Sequence, residues 1–236
     1  MKHARARHGW PVALALALVF APGAATPARA FEVPAYVTRP DLSQPELQVV
    51  LGTSIAQFAG GHFPSGGPRD GVTVGAAVRL PMSNRWSFRS GAAYVERGTV
   101  LGSETYYSLA DQPDGTDKLT YELAYAEIPA QFGWEVPVRG AQVTFFAGPA
   151  LAFKLSEWVH QTGTQEVKVR HDDMIGGDAL GEMGVAIETL YAGHRVLAEA
   201  IYDEGLVNVL RPIAGGDSVR NTGLRVQLGT AWAQAR

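Results

Sequence analysis

Histidines and acidic side chains are the residues of this chain that could do chemistry, because it contains no cysteine. The absence of cysteine excludes a disulfide framework, a thiolate metal site and a cysteine nucleophile. His171, Asp172 and Asp173 could hold a hard divalent cation, although such a run is more often a solvated loop. A surface hydrolase would need a histidine held beside a serine on one strand face, and none of the four histidines after residue 30 has that placement. We therefore expect no catalytic residue, no cofactor, no metal and no enzymatic activity.

The first thirty residues have the order of a secretory signal sequence. Lys2, Arg5 and Arg7 precede the apolar run PVALALALVF, and Ala28-Arg29-Ala30 is a small-residue cleavage site. The apolar run is well short of the ~20 residues that a spanning helix needs. We predict a signal peptide over residues 1–30, cleaved after Ala30.

Two further segments follow the predicted cleavage site: a proline-punctuated periplasmic lead-in over residues 31–45 and one domain over residues 46–236. Loss of the signal peptide removes four basic residues and no acidic ones. The remaining 16 basic and 23 acidic residues give a net charge of −7 in place of −3. This balance argues against a nucleic-acid partner.

Period-two alternation of apolar with small or polar residues dominates the predicted domain. In the first segment Leu47, Val49 and Leu51 share one face, while Gln48 and Gly52 share the other. No apolar run in this part of the sequence is long enough for a spanning helix. Eight segments show the alternation: residues 47–55, 72–80, 86–97, 119–135, 142–155, 182–188, 195–205 and 221–232.

The connections between these segments alternate in length. Three are tight turns rich in turn-forming residues, at 81–84, 137–140 and 192–194, and the other four span roughly 12 to 20 residues. Short turns at one end and long polar loops at the other are typical of outer-membrane barrels, as are segments of about ten residues. The sequence therefore predicts an all-β fold: an eight-stranded antiparallel up-and-down transmembrane β-barrel with short periplasmic turns and long extracellular loops.

The face opposite the branched aliphatic residues mixes glycine and alanine with charged residues. The interior of an eight-stranded barrel is just wide enough for its own side chains, and Arg or Lys facing mid-bilayer lipid costs about 2 to 4 kcal/mol. We therefore expect these charges to point inward and pair, without the sequence fixing the pairs. The predicted lumen charge network comprises Arg79, Arg89, Arg97, Glu127, Lys154, Glu182, Glu188, Glu199 and Arg225.

Aromatic residues lie near the ends of the segments, where bilayer interfaces place Trp and Tyr. The alternative is a soluble periplasmic barrel of lipocalin type that binds a ligand, with the apolar face inside and no aromatic girdle. The predicted interface aromatics are Trp86, Tyr94, Trp134, Tyr191, Tyr202 and Trp232.

Pro129 interrupts the fourth segment. Proline cannot donate to a strand ladder, so it predicts a bulge or an unpaired edge. Glu127 would then point inward beside a cation of the third or fifth segment. Alternatively, Pro129 marks a strand end near the periplasm.

Five pieces of the chain resemble strands of the PorT-type outer-membrane β-barrel family. YAEIPAQFGW (Tyr125 to Trp134) is similar to that family's Y-L-E-I-P-L strand, and GAAYVERGTV (Gly91 to Val100) resembles the strand before it. FFAGPALAF, DALGEMGVAIE and IYDEGLVNV, which begin at Phe145, Asp178 and Ile201, resemble its later strands. The resemblance covers roughly residues 46–232. It implies an eight-stranded barrel associated with protein secretion and cell-surface assembly, and it supplies no catalytic motif.

Together these features favour a non-enzymatic integral protein of the bacterial outer membrane with a structural, surface-interaction or secretion-associated role. The alternatives are a lipid-modifying or proteolytic surface enzyme on the same barrel and the periplasmic ligand-binding barrel. Expected partners are outer-membrane lipid, an unidentified envelope protein and the barrel-assembly machinery, since residues 221–228 fit a polar-x-Gly-x-x-apolar-x-apolar insertion signal. We expect no conducting pore, because Arg and Glu crossing so narrow a lumen leave no continuous water path.

Overall fold

The computed structural model describes residues 37–38, 43–60, 67–83, 85–101, 118–162, 167–170, 175–207 and 219–233. The predicted signal peptide, His62 and the run from His171 to Asp173 lie outside these residues, so those predictions remain predictions. The part of the chain that the structure describes contains no helix long and apolar enough to cross a membrane.

The described residues form ten β-strands in one sheet. Eight are long and two are short. In chain order they are β1 (Val37–Thr38), β2 (Glu46–Ala59), β3 (Gly67–Pro81), β4 (Trp86–Leu101), β5 (Lys118–Val138), β6 (Ala141–Thr162), β7 (Val167–Arg170), β8 (Gly177–Tyr191), β9 (His194–Gly205) and β10 (Arg220–Ala233).

The eight long strands close into a barrel. Each pairs antiparallel with its neighbour in the chain, β6 pairs with β8, and β10 returns to pair with β2 along its full length, from Arg220 opposite Ala59 to Ala233 opposite Glu46. Closure leaves none of the long strands with an open edge, as a structure in lipid requires. The predicted fold class is therefore confirmed.

The two short strands were not predicted. β7 pairs with the end of β6, where β6 continues beyond its last pair with β8, Phe153 opposite Gly177. β1 lies in the predicted lead-in and pairs with Leu190 and Tyr191, beyond the last residue of β8 that β6 reaches. The first long connection is also shorter than predicted, because β2 runs to Ala59 and β3 begins at Gly67.

Pro129 lies inside β5 rather than at its end. The pairing of β5 with β4 has no partner for Ile128 and Pro129, and resumes with Ala130 opposite Ser90. The missing proline N–H accounts for this gap. The alternative that Pro129 ends the strand is wrong, because β5 continues to Val138.

The outer surface of the barrel is apolar between its two rims. Leu228 and Leu51 are 67% and 61% exposed, whereas Val95, which points inward, is fully buried. We call this surface the apolar belt; its members include Leu47, Val49, Leu51, Val74, Ile128, Phe132, Leu151, Phe153, Val226 and Leu228. Such a surface in water would be far larger than the apolar patches that soluble monomers carry.

Small residues on the inner face make room for the large ones. A Cβ added to Gly184 would lie 2.6 Å from the ring of Phe146. A Cβ at Gly223 would lie 3.1 Å from both Arg97 Nη1 and Asp203 Oδ1. The glycines that the sequence places on the charged face therefore provide the space in which guanidinium groups and aromatic rings fit.

Candidate functional site: a closed and charged lumen

Two arginines occupy the middle of the lumen, Arg97 from β4 and Arg225 from β10. Arg97 Nε and Nη2 donate to Glu127 Oε1 at 2.9 and 2.6 Å, and Arg225 Nη1 donates to Glu127 Oε2 at 3.0 Å. Asp203 accepts from Arg97 and lies 3.3 Å from Arg225 Nε, and Glu182 accepts from Arg225. These five side chains, the middle network, are nearly completely buried.

Arg89 and its partners form a bridge, the Arg89 bridge, that connects the middle network to the next layer of the lumen. Arg89 Nε donates to Gln131 Oε1 at 2.8 Å, and Arg89 Nη1 donates to Glu199 at 2.5 Å across the barrel. Gln131 Nε2 in turn donates to Glu182 at 2.5 Å. The Arg89 guanidinium also lies 4.7 Å from the centre of the Phe146 ring. The bridge therefore runs from one wall of the barrel to the other.

A third cluster closes the end of the barrel that carries the short turns. Arg79 donates to Glu46 at 2.8 and 3.1 Å and to Glu135 at 2.7 Å. Arg195 pairs with Glu46 and lies 2.8 Å from Glu188 Oε1. Arg79 is the cross-strand partner of Arg89, a repulsive placement for two like charges. Each guanidinium instead meets acids on a different side of the lumen.

An apolar cluster fills the opposite end of the lumen, toward the long loops. Leu123, Tyr125 and Leu180 are at most 1% exposed there. The apolar cluster comprises Phe58, Leu123, Tyr125, Ala150, Ala152, Leu180 and Val219, with Tyr121 packed against it. Polar pairs border it: Lys154 Nζ lies 2.7 Å from Glu157, and Asn221 Nδ2 donates to Asp178 at 3.0 Å.

Two of the cavities in the lumen are small, with volumes of about 40 and 20 Å³. Gln48, Arg89 and Gln131 line both. Each volume is enough for one or a few water molecules and too small for an organic ligand. Neither of these two cavities is therefore a ligand-sized chamber.

All nine residues of the predicted lumen charge network lie on the inner face, and each makes at least one ion pair there. Glu127 points inward and pairs with Arg97 of β4, as expected if Pro129 interrupts the strand without ending it. It also pairs with Arg225 of β10. The structure adds residues that the sequence analysis missed: Glu46, Glu135, Glu157, Arg195 and Asp203.

Most of these missed residues follow the same alternation as the predicted ones. Asp203 and Arg195 are four residues from Glu199 on the inward face of β9. Glu157 is different, because the register of β6 shifts at Leu155, between Lys154 opposite Tyr125 and Ser156 opposite Ala124. Because of the bulge, Glu157 faces the lumen although it is three residues from Lys154, which also faces the lumen. No alternation rule could have identified it.

The predicted interface aromatics lie on the outer surface. Trp86 and Trp134 are cross-strand partners at the short-turn end, where Tyr191 and Trp232 also lie. These four are between 40% and 53% exposed. Tyr202 lies in the half of the barrel toward the long loops, whereas Tyr94 lies near the middle of β4, opposite Val74 of the apolar belt.

Charged residues reappear on the outer surface above the apolar belt. Glu122 on β5 bridges Arg69 at 3.3 Å and Lys168 at 2.8 Å, and Lys168 lies 5.4 Å from the ring centre of Trp158. We call these four residues the outer cluster. Burial raises the pKa of the Glu122 carboxyl, but the hydrogen bond from Lys168 and the charge of Arg69 outweigh burial and hold that pKa below its usual range.

Metal-binding geometry is not found in the described part of the chain. There, no three His, Cys, Asp or Glu residues are placed to hold a metal ion. His194 lies in the turn between β8 and β9, and His160 lies on β6 opposite Thr120 and Lys168.

A closed antiparallel barrel with an apolar outer belt and charges inside defines the class of outer-membrane β-barrel proteins. The profile of the family described as outer membrane protein beta-barrel domain matches residues 42–211. The chain therefore belongs to this family and is an integral protein of the outer membrane, which confirms the predicted localisation and protein class.

Solved structures of similar proteins share low sequence identity with the chain. OprG of Pseudomonas aeruginosa is 8% identical, with a TM-score of 0.45 over 81% of this chain and 98% of that one. Ail, the attachment invasion locus protein of Yersinia pestis, is 9% identical, with a TM-score of 0.41 over 80% and 99%. Neisserial surface protein A is 14% identical, with a TM-score of 0.34 over 79% and 96%. No curated protein matches the chain.

Proposed function

We propose that this barrel is a non-conducting, non-enzymatic anchor that holds its long loops at the cell surface for contact with an envelope partner. The observation that carries the proposal is the closed lumen: the middle network, the Arg89 bridge, the short-turn cluster and the apolar cluster follow one another along the barrel. A solute would have to break several buried ion pairs to pass. This proposal assigns recognition to the predicted long extracellular connections, which include residues 102–117 and 208–218.

The lumen charges in this proposal have a structural role. Each guanidinium joins strands that are not neighbours in the barrel, and Arg89 reaches from β4 to β9. The interface aromatics hold the barrel at the two bilayer surfaces, and outer-membrane lipid is the partner of the apolar belt. The insertion signal over residues 221–228 lies in β10, the strand that closes the barrel, which supports recognition by the barrel-assembly machinery.

Membership of the PorT-type branch is a narrower part of the same proposal. It rests on the strand motifs of β4, β5, β6, β8 and β9 and would assign the protein to secretion or cell-surface assembly. Purification from native membranes tests it: secretion components should co-purify with the intact protein and be lost when residues 102–117 and 208–218 are replaced by short turns. Undiminished co-purification would place recognition elsewhere on the molecule.

Planar-bilayer recording tests the closed lumen. The purified protein should give no persistent conductance steps, whereas a large and stable channel would overturn the proposal. The matched comparison is a barrel in which Arg89, Arg97 and Arg225 are all replaced by alanine. These substitutions remove the large side chains from the middle network and from the Arg89 bridge. Heat-dependent migration in detergent gels shows whether that variant still folds.

A further inference from the structure

The rim at the short-turn end carries a charge pattern that the lumen does not use. Two of the turns there each contain an exposed arginine: Arg85 between β3 and β4, and Arg139 between β5 and β6. The turn between β8 and β9 ends at the exposed His194. In the described part of this end every acid, Glu46, Glu135 and Glu188, is buried inside the lumen. Among the described residues, the outer surface of this rim is therefore cationic.

The opposite rim does not share this pattern. Its outer surface mixes acids with bases, and Glu122 pairs with both Arg69 and Lys168. Asp70, Glu204 and Arg220 are exposed there as well. An excess of positive charge on the outside of the barrel is thus found, among the described residues, at the short-turn end.

The two arginines border the lipid-facing surface. The Glu135 N–H donates to the Arg85 carbonyl at 2.8 Å, which holds the β3–β4 turn beside the Trp86–Trp134 cross-strand pair. The Trp134 and Phe145 rings stack with centres 6.2 Å apart on the strands that lead to Arg139. Trp and Tyr mark the headgroup level of a bilayer. Arg85 therefore lies at the headgroup end of the apolar belt, and Arg139 lies beyond it, in the turn four residues after Glu135.

We propose that Arg85 and Arg139 form a binding site for the phosphate groups of anionic phospholipid in the leaflet that surrounds the short-turn rim. Arg85 is continuous with the apolar belt, so the acyl chains of one lipid lie against Trp86 and Trp134 while its headgroup meets Arg85. Arg139 attracts the headgroups of neighbouring lipids from the turn between β5 and β6. Arginine suits this role because its planar fork donates two hydrogen bonds to one phosphate. Anionic lipid, rather than a protein, is the occupant because the belt already contacts lipid there.

Quenching of tryptophan fluorescence by brominated lipid measures this preference. In a Trp158→Phe background, the remaining tryptophans after the predicted signal peptide, Trp86, Trp134 and Trp232, all lie at the short-turn end. Vesicles of phosphatidylcholine contain a fixed minority of lipid with brominated chains, either phosphatidylglycerol or phosphatidylcholine. The anionic brominated lipid should bind more tightly, by about fivefold for each arginine near the headgroups.

Arg85→Gln together with Arg139→Gln should bring the ratio of the two binding constants close to one. Arg85→Lys with Arg139→Lys should keep most of it, and about 1 M salt should abolish it, because the screening length is then about 3 Å. Arg220→Gln, which removes an exposed arginine from the other rim, is the matched control and should change nothing.

Equal quenching by the two brominated lipids in the parent protein would overturn the proposal. A preference that survives in the double glutamine variant, or that Arg220→Gln removes equally, would also overturn it. Each single glutamine variant repeats the test with half the expected effect, so the result does not depend on the double variant folding. Heat-dependent gel migration identifies the folded fraction in every case.

Discussion

The middle network and the outer cluster both contain ion pairs, but the first is buried in the lumen and the second is exposed to water. Arg97 meets Glu127 at 2.6 Å inside the lumen, and Lys168 meets Glu122 at 2.8 Å on the outer surface. The Arg97 side chain is 1% exposed, whereas that of Lys168 is 49% exposed. Contact distance therefore does not distinguish the two pairs, and access to water does.

This difference in access decides what each charge contributes to stability. A charge that leaves water without its partner is costly, because the interior cannot replace the lost hydration. A charge on the surface recovers its hydration when the partner is removed, so its pair contributes about 0 to 1 kcal/mol. Variants of the middle network and of the outer cluster test that contrast.

Arg97→Ala should have the largest effect, because it leaves Glu127 and Asp203 buried with one cation fewer. We expect the free energy of unfolding to fall by about 3 to 5 kcal/mol. Urea unfolding of the folded barrel in lipid vesicles, followed by tryptophan fluorescence, measures the change. Neutralising the acids as well, with Glu127→Gln and Asp203→Asn, should restore part of the loss. A midpoint shift no larger than that of Lys168→Ala would refute the contrast.

Gly223→Ala should disturb the middle network without removing a charge. The added methyl group would lie 3.1 Å from Arg97 Nη1 and from Asp203 Oδ1, so the ion pair has to move by a few tenths of an ångström. Overpacking of this kind costs about 1 to 3 kcal/mol. Gly176→Ala is the control, because its methyl group meets no atom within 4 Å. Equal urea midpoints for the two alanine variants would show that the lumen has room for a methyl group beside Arg97.

Lys168→Ala should lower the free energy of unfolding by less than about 1 kcal/mol. The variant removes the ion pair with Glu122 and the contact with the Trp158 ring, both at the surface. The same urea titration measures it, and raising the salt concentration should shrink the difference from the parent protein. A loss comparable with that of Arg97→Ala would mean that the outer cluster is far less hydrated than its exposure indicates.

The smallest effect concerns the pH dependence of the outer cluster. Because the pKa of Glu122 is lower in the folded barrel than in the unfolded chain, its contribution is present above the unfolded pKa and is lost as the pH falls through the folded pKa. The stability difference between the parent and Glu122→Gln should therefore be constant from pH 7 to 6 and vanish in acid. Urea midpoints from pH 7 to 3 measure it, and a difference that grows in acid would contradict the sign.

The fold and the inward placement of the predicted charges follow from alternation, because a side chain on a pleated strand can point in only two directions. Extending the same alternation from Glu199 also reaches Asp203 and Arg195. Two things do not follow. The pairing partners depend on how far the strands are staggered around the barrel, which brings Arg89 to Glu199. The bulge at Leu155 changes the direction of Glu157, and nothing in the local composition marks it.

The seam between β2 and β10 also determines when the molecule can exist as a barrel. Glu46 finds its partner Ala233 at the far end of the domain, so the described strand pair with the longest sequence separation belongs to the seam that completes the structure. Until β10 arrives, both β2 and β9 present open edges that pair with other chains. Such a topology folds slowly, because its long-range contacts form last. A chain that must cross the periplasm in this state depends on being kept soluble until its final strand can enter the membrane.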